Sequence, residues 1–248
     1  MNYIVGDIGN TSTRICLLNK NFIIKKSFII ETKNIFKKDY FNKRISKLLN
    51  RKINRNILIS SVVPLGLKQI KKILKKSGFK VFEVKDLQIK KIIKLNIKKF
   101  NQIGSDRIVN AIGGKKFKNC LIIDFGTATT FDIVKNGIYE GGVIAPGVKL
   151  SMMNLSSSTA LLPMFSLKNT TKNFGKDTKE ALNAGFIWGY EGLINNIINK
   201  ITSKWKMKYV IILTGGYANF FKKIIKKKTF VDQNITIKGI SKVYKELL

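Results

Sequence analysis

The sequence predicts an α/β protein made of two similar halves around a cleft, and three observations support this prediction. Apolar runs of strand and helix character alternate along all 248 residues. An Asp-x-Gly turn with a threonine one or two residues later occurs in DIGNTSTR (7–14) and again in DFGTATTFD (124–132), each time after a short apolar run. No Pro- or Ser-rich linker divides the chain, so halves at 1–118 and 119–248 are predicted to pack closely.

The first half is predicted to alternate between strands and helices. Its elements are, in order, strands at 2–6, 14–19 and 22–31, a helix at 39–50, a strand at 53–63, a helix at 64–77, a strand at 80–84 and a helix at 104–117. Pro64 suits the first turn of a helix, and the apolar residues that follow it recur at helical spacing.

The second half repeats the pattern from residue 119. Its elements are strands at 119–124, 129–136 and 137–145, helices at 148–157 and 177–201, a strand at 209–216, a helix at 218–227 and a terminal helix near 240–247. The turn at Asn136-Gly137 separates its second and third strands.

Composition narrows the class of protein. There is no histidine and there are only two cysteines, Cys16 and Cys120, each in an apolar strand-like run. A zinc site and a histidine-based triad are therefore excluded, and the cysteines are expected to be buried free thiols. No apolar run reaches the ~18 residues of a membrane span, and no secretory signal is visible at the start. We expect a cytoplasmic protein without a membrane partner.

The net charge of +33 suggests nucleic-acid binding, but the kind of basic residue argues against a selected surface. Only five of the 47 basic residues are arginine, the preferred bidentate partner of phosphate and guanine. The lysines are spread over the whole chain together with abundant Ile and Asn, a combination that an AT-rich genome encodes. We therefore expect no specific nucleic-acid partner.

The repeated turn has a chemistry suited to nucleotide phosphates. Its glycine allows close approach of the backbone, neighbouring N–H groups can face phosphate oxygens, and threonine adds a hydroxyl donor. A carboxylate beside phosphate implies a cation between the two. A third glycine-bearing segment, LTGGYANF (213–220), ends a strand before a helix, an arrangement that is common near nucleotides.

GSDRIVNAIGG (104–114) admits two interpretations. Asp106 and Arg107 stand where a helix is predicted to begin, so they fit either a functional site or a helix with a capping Ser105 and an acid in its first turn.

Taken in order, the segments resemble the type III pantothenate kinases of bacteria. The resemblance spans nearly the whole chain except 80–103, and Ser105 departs from the alanine usual in that family. The matching segments are DIGNTSTR (7–14), SSVVP (60–64), GSDR (104–107), DFGTATTFD (124–132), YEGGVIAPG (139–147), TALLP (159–163), GKDT (175–178) and TGG (214–216).

The resemblance implies an actin-like (ribonuclease H-like) ATPase fold, a homodimer, and transfer of the ATP γ-phosphate to pantothenate, the first step of coenzyme A synthesis. It implies Asp106 as the proton acceptor, Mg²⁺ near Asp7, held directly or through water, and K⁺ or ammonium at Asp124. The implied ATP-binding residues are Asp7, Ile8, Gly9, Asn10, Thr11, Ser12, Thr13, Arg14, Thr127, Gly215 and Gly216. The implied pantothenate-binding residues are Gly104, Ser105, Asp106, Arg107 and Thr178.

Two other functions remain open at this point. The phosphate turns alone do not name the acceptor, so a sugar or acetate kinase of the same superfamily is one alternative. A non-catalytic regulatory relative is the other, and the joint presence of Asp7, Asp106 and Asp124 argues against it.

Overall fold

A computed structural model describes residues 1–49, 52–168 and 174–248. The strands are β1 Asn2–Ile8, β2 Ser12–Leu18, β3 Ile24–Glu31, β4 Ile53–Ser61, β5 Lys80–Glu83, β6 Lys94–Leu95, β7 Cys120–Phe125, β8 Ala128–Lys135, β9 Ile138–Pro146, β10 Val210–Gly215 and β11 Thr229–Val231. The helices are α1 Lys38–Ser46, α2 Pro64–Lys75, α3 Ser105–Gly114, α4 Val148–Ser157, α5 Thr178–Thr202, α6 Ala218–Phe221 and α7 Ile235–Leu247.

The chain divides into two compact units. The first unit is formed by Met1–Lys118, Asp132–Gly141 and Asn234–Leu248. The second unit is formed by Asn119–Phe131 and Gly142–Gln233. The division of the chain into halves at 1–118 and 119–248 stays a prediction.

The two sheets have the same strand order, which confirms the predicted duplication. One sheet runs β3-β2-β1-β4-β5, and the other runs β11-β10-β7-β8-β9-β6. Read from its other end and without β6, the second sheet gives β9-β8-β7-β10-β11, the same order as the first. In each sheet the strand that carries the Asp-x-Gly turn is central, and it is paired in parallel with the strand after the next helix.

The first sheet positions its polar residues by register. Strand β1 pairs antiparallel with β2 and parallel with β4, so Asp7 lies opposite Arg14 on one side and Ser60 on the other. Alternate residues of β1, such as Ile4 and Ile8, are fully buried in the core. Burial of each such side chain contributes roughly 1.5–3 kcal/mol, which fixes the register and with it the polar residues at the strand end.

Two predicted helices differ from the structure, and two strands were not predicted. The helix at 218–227 is only α6, because the chain must leave it to begin β11, a strand that the sequence did not predict. Asn195 of α5 holds this stretch: its side-chain oxygen accepts the N–H of Lys226 at 3.0 Å. The short strand β6 was also missed, and α7 begins earlier than predicted, at Ile235. The predicted end of the first helix, residue 50, lies outside the described residues.

Helix α7 owes its early start to a contact with β2. The side-chain oxygen of Asn234, the residue before α7, accepts a hydrogen bond from Nη2 of Arg14 at 2.8 Å. Ile235 and Ile237 then begin the buried face of the helix. Within the ranges that the structure describes, no helix combines the length and apolar character that crossing a bilayer requires.

Candidate functional site

The turn between β1 and β2 is braced by Thr32, a residue that the sequence did not single out. The N–H of Gly9 donates to the carbonyl of Ser12 at 3.0 Å and closes the turn. The hydroxyl of Thr32 donates to the carbonyl of Gly9 at 2.6 Å, and the N–H of Thr32 donates to the carbonyl of Thr11 at 2.9 Å. These bonds fix the backbone of the turn.

The side chains of this turn fall into two groups. Those of Asn10, Thr11 and Ser12 are exposed, whereas those of Ile8 and Thr13 are completely buried. For Ile8 and Thr13, only backbone atoms therefore remain to bind a ligand. The family resemblance had implied that all eight residues of 7–14 bind ATP.

Asp7 stands at the head of the turn in a polar setting. The hydroxyl of Ser60 donates to Oδ1 of Asp7 at 2.8 Å across the parallel pair β1–β4. This bond orients the carboxylate and explains why SSVVP accompanies the turn in the sequence.

Asp106 is the second residue of α3, with Gly104 at the N-cap position. Its Oδ1 accepts the N–H of Arg107 at 2.8 Å. Burial raises the pKa of the Asp106 carboxyl, while the hydrogen bond and the charge of Arg107 lower it, and burial is the larger effect.

The guanidinium of Arg107 binds Asp132, a second residue that the sequence analysis did not assign. Nε of Arg107 donates to Oδ1 of Asp132 at 2.7 Å, and the hydroxyl of Tyr139 donates to the same oxygen at 2.9 Å. Burial raises the pKa of Asp132 to about 7, against the lowering effects of Arg107 and Tyr139. Burial lowers the pKa of Arg107, but the charge of Asp132 raises it, and the net shift is upward.

One nitrogen of this guanidinium lacks a protein partner. Nη2 of Arg107 is buried and has no hydrogen-bond partner among the described residues. Buried polar groups are rarely left in this state in native proteins unless they serve a ligand or another functional purpose.

The stretch after β5 holds the segment that leads into α3. Glu83 accepts the hydroxyl of Ser105 at 2.5 Å, and Nζ of Lys85 donates to the carbonyls of Asn101 and Ile103, both at 3.0 Å. Part of the region 80–103, which carried no recognisable motif, therefore fixes the backbone that presents Asp106.

In the second unit, Asp124 lies against the glycine that ends β10. Gly215 has a φ of +85°, which favours glycine, and a Cβ on it would lie 2.6 Å from both Oδ1 of Asp124 and the carbonyl oxygen of Phe125. Because glycine has no Cβ, the backbone of Gly215 can pack closely against these two oxygens.

The other nucleotide-binding candidates of the second unit lie close by in the fold. Thr127 occupies the turn between β7 and β8, which the N–H of Gly126 closes by donating to the carbonyl of Ala128 at 3.0 Å. The N–H of Gly216 donates to the carbonyl of Phe125 at 3.0 Å, so this N–H is already used within the protein.

Thr178 begins α5 and is exposed. The helix is capped in front of it, because Oδ1 of Asp177 accepts the N–H of Glu180 at 2.8 Å. Thr178 also lines a groove of ≈ 630 Å³ with Pro146, Ser151 and Tyr190, among apolar residues of α4 and α5.

Within the units, the structure brings together the segment 104–107 in the first and Asp124 with Gly215 in the second. No group of three or more His, Cys, Asp or Glu side chains that could hold a metal occurs in residues 1–49, 52–168 and 174–248. Any divalent ion must therefore take part of its coordination from a ligand or water.

Comparison with known sequences gives one family over most of the chain. Residues 3–200 match the family model described as Type III pantothenate kinase. A type III pantothenate kinase from Pelagibacter ubique is 47% identical over 241 residues, which cover 96% of this chain and 96% of the relative.

Solved structures share the fold at much lower identity. A Baf family transcriptional activator from Campylobacter jejuni has a TM-score of 0.64 at 20% identity, with 98% of both chains covered. A 2-dehydro-3-deoxygalactonokinase protein from Sinorhizobium meliloti has a TM-score of 0.62 at 10% identity, again with 98% of both chains covered. At these identities the likeness bears on the fold alone, and it confirms the predicted actin-like ATPase fold.

Proposed function

The chain belongs to the type III pantothenate kinase family, and on that premise we propose which of its residues carry out the reaction. The enzyme phosphorylates pantothenate with ATP and a divalent metal, a step of coenzyme A biosynthesis. The observation that carries the residue assignment is the pair Asp106 and Arg107 at the start of α3, one a partly buried carboxyl and the other a partly buried guanidinium with an unsatisfied Nη2.

Asp106 is the general base. The acceptor hydroxyl of pantothenate becomes a good nucleophile only as its proton leaves, and a carboxylate within reach accepts that proton. Arg107 binds the substrate carboxylate through Nη2, a charge-assisted contact that orients the acceptor. Gly104 and Ser105, at the start of the same helix, are further candidates for contact with pantothenate. Thr178 at the start of α5 is the remaining candidate that the family resemblance implies.

Asp7 and the turn 7–14 bind the metal and the phosphates in the first unit. A magnesium ion is commonly held by one or two carboxylates together with phosphates and water. A carboxylate that binds a metal usually also accepts a hydrogen bond from a neighbouring protein group. Asp7 with Ser60 fits both requirements. When bound, ATP supplies the phosphoryl group, and its metal neutralises the charge of the phosphates. The chain itself supplies a rigid turn on which Asn10, Thr11 and Ser12 are exposed. The turn is followed by Arg14 on β2.

Asp124 holds a monovalent cation in the second unit, with Thr127, Gly215 and Gly216 as nucleotide contacts. Carbonyl and carboxylate oxygens can replace the hydration shell of K⁺. Asp124 and Phe125 place one oxygen of each kind beside the backbone of Gly215. These residues therefore fit K⁺ or ammonium.

The enzyme is a homodimer that associates through the second unit. All eight large apolar side chains that are exposed in this unit, among the described residues, lie between 143 and 188. Exposed large apolar side chains are candidates for an association surface. The side chains are Val143, Ile144, Leu150, Met153, Leu161, Met164, Phe174 and Trp188.

The cytoplasm is the compartment that fits the two thiols. Cys16 and Cys120 are both buried and neither forms a disulfide, and burial raises the pKa of the Cys120 thiol to about 12. Thiols of this kind are inert and persist in a reducing environment.

Replacement of Asp106 by Asn should lower kcat about 10²–10⁴-fold, because general-base catalysis contributes about that much, while the Kd of ATP stays unchanged. The wild-type kcat/KM should fall on the acid side with an apparent pKa above the ~3.9 of an ordinary aspartate. A base works in its ionised form, and burial raises the pKa of Asp106, so the loss begins at higher pH.

Steady-state kinetics between pH 4 and 9 and nucleotide titration measure both effects. Asp39→Asn is the matched control, since Asp39 occupies the same position in the first turn of α1; it should leave kcat unchanged. Asp7→Asn should instead weaken binding of the metal–nucleotide complex. Near-normal turnover by Asp106→Asn would mean that Asp106 only caps its helix.

Replacement of K⁺ by Na⁺ should depress turnover, chiefly through a higher KM for ATP, because the cation at Asp124 also offsets nucleotide charge. Asp124→Asn should abolish the difference between the two salts, whereas Asp86→Asn, at an exposed carboxylate, should preserve it. The measurement is KM for ATP at constant ionic strength. Equal values in both salts for the wild type would contradict the assignment.

The homodimer should appear as a particle of twice the 28.1 kDa of one chain by light scattering coupled to size exclusion. Trp188→Glu should shift it towards the monomer, because it places a charge on the proposed surface. Ile29→Glu, at an exposed apolar residue of the first unit, should leave the mass unchanged. A monomeric wild type would rule the dimer out.

A further inference from the structure

We propose that Asp132 is a positioning residue for pantothenate recognition: it fixes the guanidinium of Arg107 through Nε so that Nη2 is kept for the substrate carboxylate. This inference deepens the proposed function and rests on it. Asp132 lies at the end of the DFGTATTFD segment, whose first residue was assigned to a cation, and nothing in the sequence connected it with the acceptor.

The contact is well formed and fully enclosed. Asp132 on β8 is 0% exposed, and the side chain of Arg107 on α3 is 13% exposed. Nε and Oδ1 are 2.7 Å apart. A guanidinium is planar and rigid, so one short bond at Nε restricts the directions in which its other nitrogens can point.

Tyr139 supports the carboxylate from the other side. Its hydroxyl donates to Oδ1 of Asp132 at 2.9 Å, and Tyr139 is itself 0% exposed. The charged and titratable groups that act on Asp132 are Arg107, Tyr139 and Asp106. The position of Arg107 is therefore determined by β8 and β9 as well as by its own helix.

The charge balance explains why the carboxylate must be buried with the arginine. A buried guanidinium without a partner would carry a large desolvation penalty, which a hydrogen-bonded carboxylate offsets. Asp132 satisfies Nε but leaves Nη2 without a partner among the described residues. A purely structural ion pair would gain nothing from leaving that nitrogen unsatisfied, whereas a substrate carboxylate would satisfy it.

The experiment compares Asp132→Asn with the wild type. The substitution keeps the shape and removes the charge, so KM for pantothenate should rise about tenfold or more, the range expected for a lost charged hydrogen bond. KM for ATP should not change. Asp86→Asn removes the same charge at a side chain that is 65% exposed and should alter neither constant.

Two further variants keep the test decisive. In the Arg107→Lys background, Asp132→Asn should cause no additional rise in KM for pantothenate, because it acts only through Arg107. Tyr139→Phe removes a single hydroxyl and should raise the same KM by a few-fold. If Asp132→Asn fails to fold, the test uses Tyr139→Phe instead, and KM for pantothenate is again the quantity that decides it.

The inference is overturned if these variants lower the melting temperature but leave KM for pantothenate unchanged, or if the effects of Asp132→Asn and Arg107→Lys multiply. Failure of the proposed function would look different, since the wild type itself would not phosphorylate pantothenate.

Discussion

Burying the charged side chain of Arg107 beside Asp106 is possible because Asp132 is buried with it. Removing one partner of such a pair typically costs ~3–5 kcal/mol, since the other charge is left uncompensated. The same burial raises the pKa of Asp106, so the residue is a stronger base than an exposed aspartate while Arg107 limits the shift. In the proposed mechanism, recognition of an acidic acceptor and removal of its proton both depend on this ion pair, and Glu83 and Lys85 hold the backbone around it.

The duplicated fold presents one local motif twice. In both sheets the strand with the Asp-x-Gly turn is central and parallel to the strand after the next helix. In the first unit the neighbouring strand offers the hydroxyl of Ser60 to Asp7, which suits a carboxylate that faces a hydrated divalent metal. In the second unit Thr214 lies in register with Asp124, and Gly215 at the end of the strand packs closely against Oδ1 of Asp124.

The sequence predicted the strands, the turns and the acidic residues because these features are local. Apolar periodicity and the position of Asp106 in a first turn can be read within a window of a few residues. Asp132, Glu83 and Thr32 escaped notice because each acts on a residue 22 to 25 positions away, and pairing over that distance depends on strand order and register. Strand β11 was missed because three residues carry too little pattern, and its existence depends on pairing with β10.

The most direct measurement of the central claim compares pantothenate with pantothenol, in which a hydroxymethyl group replaces the carboxylate. If Arg107, held by Asp132, recognises that carboxylate, the wild type should have a kcat/KM for pantothenol at least about tenfold lower than for pantothenate, as expected for loss of a charged hydrogen bond. The ratio should shrink in Asp132→Asn. Equal kcat/KM values for the two compounds in the wild type would contradict the account.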